Sequence, residues 1–383
     1  MEYDKSKALL PSGFEDQLPD MAEREAATVG ALMENFACFG YRRIKPPLLE
    51  FEESLFASGP GEVLQDRSFR VMDPISHRMM GLRPDITAQI ARISSSRLAN
   101  EERPLRLMYA NDSFRTKAGQ NRSVRQFCQV GFEILGADSL EADIEVCVVS
   151  LKALYDLGVR DLTLDLAIPG LVDFVLDHHK VSKADKDKLR EILNVRNVSA
   201  LRSYDKKIAQ ALYVLMGLTG EAEEVLKVLS KIDLPKEAKR LVLDVRRVLE
   251  GVQAALVDLG LDDIQITIDP VEYRGFSYHT GVSMSVFVAG AVQEVGRGGR
   301  YNICDPVTGQ LETATGFSFY MDLLRDFAEF SENSKTVFVD EAVKWSDIKA
   351  LQKEGWVVTR GLGQNEDSDP SKYVYENGKV VER

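Results

Sequence analysis

The sequence predicts an α+β protein in which mixed strand and helix material is interrupted by an all-α block and closed by a short α/β tail. Three observations carry this reading. Polar and apolar residues alternate at strand period in the run that ends at Glu133, apolar residues recur at helical spacing from Leu171 to about Leu259, and strand alternation returns at Ile264–Asp269. A chain of 383 residues exceeds one ordinary core. The expected division is a main domain over 1–170 and 260–330, a helical insertion over 171–259, and an extension over 331–383.

In the first segment, Gln129, Gly131 and Glu133 alternate with Val130 and Phe132, which sets Gln129 and Glu133 on one face of a sheet as a polar pocket floor. In the helical block, Leu241, Val245 and Val248 track one helix face. Beyond it, Ile264, Ile266 and Ile268 alternate with polar residues, a further strand is expected over Ser283–Ala289, and a helix after the Gly316 segment. The tail reads as strand Thr336–Val339, helix Trp345–Lys353, strand Trp356–Thr359 and a hairpin turning at Asn377-Gly378, a dipeptide suited to a type I′ turn.

Apolar residues make up 44% of the chain and charged residues 28%, a globular composition that argues against disorder. The formal charge of −12 opposes polyphosphate partners such as tRNA. Arg115, Lys117, Arg122 and Arg125 form a local exception that reads equally as a basic patch or a solvated loop. Cys38, Cys128, Cys147 and Cys304 are far apart with no CxxC pair, so neither a zinc ribbon nor a disulfide framework is expected and a reducing cytoplasm fits. No signal peptide is evident and no run approaches the ~18 apolar residues of a membrane span. Phosphate-loop, GxSxG and HExxH motifs are absent and the four histidines lack metal-ligand spacing, so no cofactor or metal is expected. His178 and His179 are expected at the surface.

Four segments place polar residues inside apolar strand patterns, where burial without partners is costly. They are Leu82-Arg83-Pro84-Asp85-Ile86-Thr87; Phe114-Arg115 with the strand reaching Glu133; Tyr273-Arg274-Gly275-Phe276-Ser277-Tyr278-His279; and Gly296-Arg297-Gly298-Gly299-Arg300-Tyr301. The glycines suit close approach of a backbone to a ligand, and equally a tight turn. Together, in this order, the segments resemble the catalytic domain of class II aminoacyl-tRNA synthetases, and of histidyl-tRNA synthetase in particular, over roughly residues 8–330. Pro11, Gly13 and Asp16 look like the opening P-x-G-x-x-D, Gly40-Tyr41 through Pro47 like motif 1, and Leu82–Thr87 like LRPE-x-T with Asp85 for glutamate. Arg274–His279 and Gly298–Tyr301 are similar to the histidine signatures RGLDYY and GGRYD. The resemblance implies an antiparallel sheet of six or seven strands flanked by helices, and a homodimer through the motif 1 segment Gly40–Leu49.

Departures from the synthetase pattern fall on the ATP side. Motif 2 reads Phe114-Arg115-Thr116-Lys117, with Lys117 in place of an acidic residue. In motif 3, Tyr320 and Leu323 stand where GFAMGMERL has its second glycine and its arginine, and Arg325 lies two residues on. Only about fifty residues follow, too few for an anticodon-binding domain. The resemblance implies a retained histidine pocket: Asp85, Thr87 and Gln129 at the α-amino group, Arg115 and Arg274 at the carboxylate, and Glu133, Tyr278 and His279 at the imidazole, with Ile86 also among the binding residues. His279 and Ser277 depart from a tyrosine and an acidic residue of that signature. A histidine pocket without an adenylation site resembles the regulatory-subunit family of short-form ATP phosphoribosyltransferases. That family implies a chain with no catalysis of its own, a short-form catalytic subunit as partner in a hetero-octamer, L-histidine as effector and no tRNA. A functional synthetase, or a synthetase-like module for another partner, are the alternatives.

Overall fold

The computed structural model describes residues 9–57, 59–117, 124–261, 263–271, 279–304, 308–329, 335–363 and 371–383. The chain forms two compact units, Met1–Glu329 and Phe330–Arg383. The strands of the first are β1 (Arg42–Arg43), β2 (Leu49–Phe51), β3 (Arg70–Met72), β4 (Met79–Leu82), β5 (Leu105–Phe114), β6 (Gln126–Leu135), β7 (Leu162–Ala167), β8 (Gly220–Glu221), β9 (Gln265–Asp269), β10 (His279–Val288), β11 (Gly296–Cys304) and β12 (Leu311–Tyr320). Those of the second are β13 (Thr336–Val339), β14 (Val357–Arg360), β15 (Tyr373–Glu376) and β16 (Lys379–Glu382).

Among the described residues the main sheet has nine strands in the order β1-β5-β6-β12-β11-β10-β7-β9-β8, and β2, β4 and β3 form a small separate sheet. From β5 to β7 every pairing is antiparallel. The count exceeds the expected six or seven because β1 and β8, two residues each, are too short to leave a periodic signal in the sequence. The joins β1·β5 and β7·β9 are parallel. The second has a chain-level cause: parallel neighbours need a long crossover, and the helical block between β7 and β9 supplies it.

One face of the sheet packs on helices Pro19–Cys38 and Leu140–Asp156. Leu32 and Phe36 from the first and Val146, Leu151 and Leu154 from the second share a core with Val130, Phe132, Phe317 and Phe319. Phe36 sits 4.6 Å from the Phe132 ring. The opposite face carries a smaller core, Ile86 and Ile90 against Leu107, Tyr109, Tyr301 and Ala314. Here helix Thr87–Ser96 covers part of the sheet and leaves the rest for a site.

The block after β7 contains helices Leu171–His178, Lys183–Asn194, Val198–Leu201, Lys206–Met216, Ala222–Leu229 and Lys236–Leu259. Val245 and Val248 are buried and Leu241 packs against the same core. The block is not wholly helical, since Gly220–Glu221 turns outward to pair with Thr267 and Ile268. Arg196 also forms an ion pair with Asp269 on β9.

Two local expectations shift. The helix after the Gly316 segment is only Met321–Leu324, because the strand runs on to Tyr320 before the chain turns. In the second unit the strand expected at Trp356–Thr359 is Val357–Arg360, Trp356 instead packing beside Tyr373. Thr336–Val339 and Trp345–Lys353 form as read. Asn377 and Gly378, at φ 52° and 80°, turn the β15–β16 hairpin. No described helix is long and apolar enough to cross a membrane.

Candidate ligand-binding site

The uncovered part of the second sheet face is built by register. Gly316, Ser318 and Tyr320 of β12 lie opposite Glu133, Gly131 and Gln129 of β6. Gly299 of β11 lies opposite Gly316, and Tyr109 of β5 opposite Gly131. The result is a small cleft on the open face of the sheet. Its described lining includes Asp85, Thr87, Glu133, His279, Arg297 and Tyr320.

Glu133 lies in the floor, 2% exposed. Tyr301 donates its hydroxyl to Oε2 at 3.2 Å and Tyr109 donates to Oε1 at 3.5 Å. Burial is the main cause that pushes its carboxyl up to about 8, and the charge of Asp85 adds to the rise while the Tyr301 hydroxyl opposes it. Near neutral pH Glu133 is therefore mostly protonated. Two glycines make room for this carboxyl and its tyrosine. A Cβ on Gly316 would meet Glu133 Oε2 at 1.8 Å, and one on Gly131 would meet the Tyr109 hydroxyl at 2.6 Å.

The entry to helix Thr87–Ser96 forms one wall. Asp85 Oδ1 accepts from the Thr87 backbone N–H at 2.8 Å, and Gln129 Oε1 accepts from the Ile86 N–H at 3.1 Å. Gln129 is fully buried, accepts also from Ser113 and donates to Ser318 Oγ at 2.9 Å. It thus holds the wall and floor together from below, and Ile86 turns its side chain into the smaller core. His279 Nδ1 is 3.2 Å from Ser283 Oγ; burial, then the nearby Arg297 charge, pull the imidazole down to about 3, so it stays neutral.

Of the residues named from the sequence, Asp85, Thr87, Glu133 and His279 line the cleft. Arg115 stands beside it, its guanidinium 4.6 Å from the Phe127 ring centroid and 5.7 Å from that of Tyr320. Arg274 and Tyr278 lie outside the described residues. Of the basic cluster, Arg125 stacks on Phe14 and Phe69, Lys117 is exposed and Arg122 lies outside the described residues. Sequence reading missed Tyr109, Ser318 and the role of Tyr301 as partner of Glu133. Tyr109 sits in an apolar run with no polar alternation to mark it. Arg300, in the same short motif as Tyr301, faces elsewhere and pairs with the buried Asp143 at 2.8 Å.

The ATP-side departures also have places. Leu323 packs against the main core. Arg325 is buried, with Glu15 at 3.5 Å and Glu25 at 3.8 Å. It is committed to these carboxylates and is not part of the cleft. Among the described residues no cluster of three His, Cys, Asp or Glu side chains could hold a metal.

The histidyl-tRNA synthetase family profile matches residues 13–324. The ATP phosphoribosyltransferase regulatory subunit of Paramagnetospirillum magneticum is 41% identical over 362 residues, covering 94% of this chain and 93% of that one. The same-named protein of Rhodospirillum centenum is 40% identical, covering 92% and 88%. In fold the chain is similar to an ATP phosphoribosyltransferase regulatory subunit/histidyl-tRNA synthetase from Bacillus halodurans, with TM-score 0.80 and 23% identity over 94% of this chain and 95% of that one. A largely antiparallel sheet with a glycine-cleared carboxyl on its open face, and relatives matched almost end to end, place this chain in the ATP phosphoribosyltransferase regulatory subunit family, built on the histidyl-tRNA synthetase fold.

Proposed function

We propose that this chain is a regulatory subunit of ATP phosphoribosyltransferase without catalysis of its own, that it supports a short-form catalytic subunit in the first step of L-histidine biosynthesis, and that L-histidine bound over Glu133 is its feedback effector. The observation that carries the reading is Glu133 itself: a buried carboxyl flanked by two tyrosine hydroxyls, with no cation at ion-pair distance among the described residues. Such a group is costly as pure structure and suits an imidazole, to which it donates when protonated and from which it accepts when ionised.

The remaining groups fit a zwitterion. Asp85 and Thr87 take the α-amino group, with Gln129 and the Ile86 N–H setting their position, and Arg115 with Arg274 takes the carboxylate. His279 and Tyr278 complete the imidazole end. Lys117, Tyr320 and the core-packed Leu323 speak against adenylation, and the net charge of −12 against tRNA. Histidine acts by favouring one assembly conformation, on the usual scale of ~1–3 kcal/mol. The assembly is a cytoplasmic hetero-octamer containing homodimers of this chain joined through Gly40–Leu49, an isologous contact.

Mixing the chain with a short-form catalytic subunit tests this. The expected result is a larger complex whose transferase activity exceeds that of either part and falls with histidine, while Glu133→Ala keeps the activity and loses the inhibition. Histidine inhibition that survives Glu133→Ala unchanged would place the effector elsewhere.

A further inference from the structure

We infer that Tyr320 is the wall that ends the cleft at the ligand's carboxylate, so that the site admits a single free amino acid and excludes one extended beyond its carboxyl carbon. This rests on the histidine-binding reading and names the residue that sets its size limit. On β12 the cleft-facing positions are Gly316, Ser318 and Tyr320, so two small residues are followed by one large ring. At ~3.3 Å per residue, Gly316 and Tyr320 are roughly 13 Å apart, which suits one amino acid lying between Glu133 and the ring.

The ring is held in place from several sides. Tyr320 is 4% exposed, its N–H donates to the Val295 carbonyl at 3.1 Å, and its backbone pairs with Gln129. Its ring meets Phe127 edge-on at 5.8 Å, and the Arg115 guanidinium lies over both rings. The cation that faces the carboxylate is thus stacked on the residue that closes the space behind it. A synthetase must leave that space open, because adenylation joins the carboxylate to a phosphate, and the glycine its pattern has at this position leaves it clear. With a tyrosine there, closure of the ATP side and selection for ligand length are the work of one side chain.

The test separates size from charge by calorimetry with L-histidine, L-histidinamide and L-histidine N-benzylamide, the last two differing only in bulk beyond the carboxyl carbon. The wild-type chain should bind the benzylamide at least about ten-fold more weakly than the amide, the scale of pocket-size discrimination. Tyr320→Ala should bring that ratio close to one, and Tyr320→Phe, which keeps the ring, should leave it unchanged. Histidine affinity of each variant reports whether its pocket is intact. Wild type that binds histidine but shows no difference between the amides, or a ratio that survives Tyr320→Ala in a histidine-binding variant, overturns this inference alone. A folded wild type that binds no histidine overturns the sensor reading and this inference with it. A Tyr320→Ala chain that no longer binds histidine is replaced by Tyr320→Leu, judged by the same ratio.

Discussion

Replacing Glu133 by glutamine keeps the shape and an acceptor for the tyrosine hydroxyls while removing the ionisation, which isolates the electrostatic cost of the site. The folded carboxyl titrates near 8 against about 4.5 when unfolded. Because the folded value is the higher one, the contribution of Glu133 to stability is fully present below about pH 4.5 and is lost as pH rises through about 8. Integrated between pH 6 and pH 9, the wild type loses roughly 3 kcal/mol from this group alone, and Glu133→Gln loses none of it. Urea denaturation of both proteins at the two pH values gives the difference of differences, with all other titrating groups cancelling. Histidine binding should follow the same proton. An imidazole with pKa about 6.5 sharing one proton with this carboxyl binds best between about pH 6.5 and 8, and the upper limb should flatten in the glutamine variant. Equal stability losses in the two proteins would refute the claim that burial holds this carboxyl protonated.

Further perturbations separate pocket from scaffold. Gly316→Ala drives a methyl group into the Glu133 carboxyl, so it should cost about 1–3 kcal/mol of stability and abolish histidine binding in titrations. Arg300→Met strands the buried Asp143 and should cost about 3–5 kcal/mol in denaturation, while histidine affinity of the folded protein stays within a few-fold of wild type. Leu323→Arg restores the residue type of the synthetase pattern at a position packed on the core, so pyrophosphate exchange with histidine and ATP should stay at background and the melting temperature should fall.

What the sequence made legible was local. The alternation of Gln129 and Glu133 placed both on the cleft side of β6, and the Asn377-Gly378 pair marked its hairpin. The partners of Glu133 were not legible, because Tyr109 and Tyr301 come from strands 24 and 168 residues away and reach it only through sheet register. β1 and β8 escaped because two residues carry no period, and the parallel join of β9 escaped because it depends on where the helical block returns the chain. Gly316 marked only the segment before a helix; the Glu133 carboxyl at its Cβ position is what gives it a purpose. The one-turn helix Met321–Leu324 shows the same limit, since strand pairing with β6 as far as Tyr320 overrides the local helical pattern.

The most direct test of the account is calorimetric titration of L-histidine into the folded chain and into its complex with a short-form catalytic subunit. A saturable site on each chain is expected, weakened by roughly 2–5 kcal/mol in Glu133→Ala, the cost of removing one partner of a buried hydrogen-bonded pair that shares a proton. No saturable binding at millimolar histidine, in either the chain or the complex, would contradict the account and leave the cleft over Glu133 without its ligand.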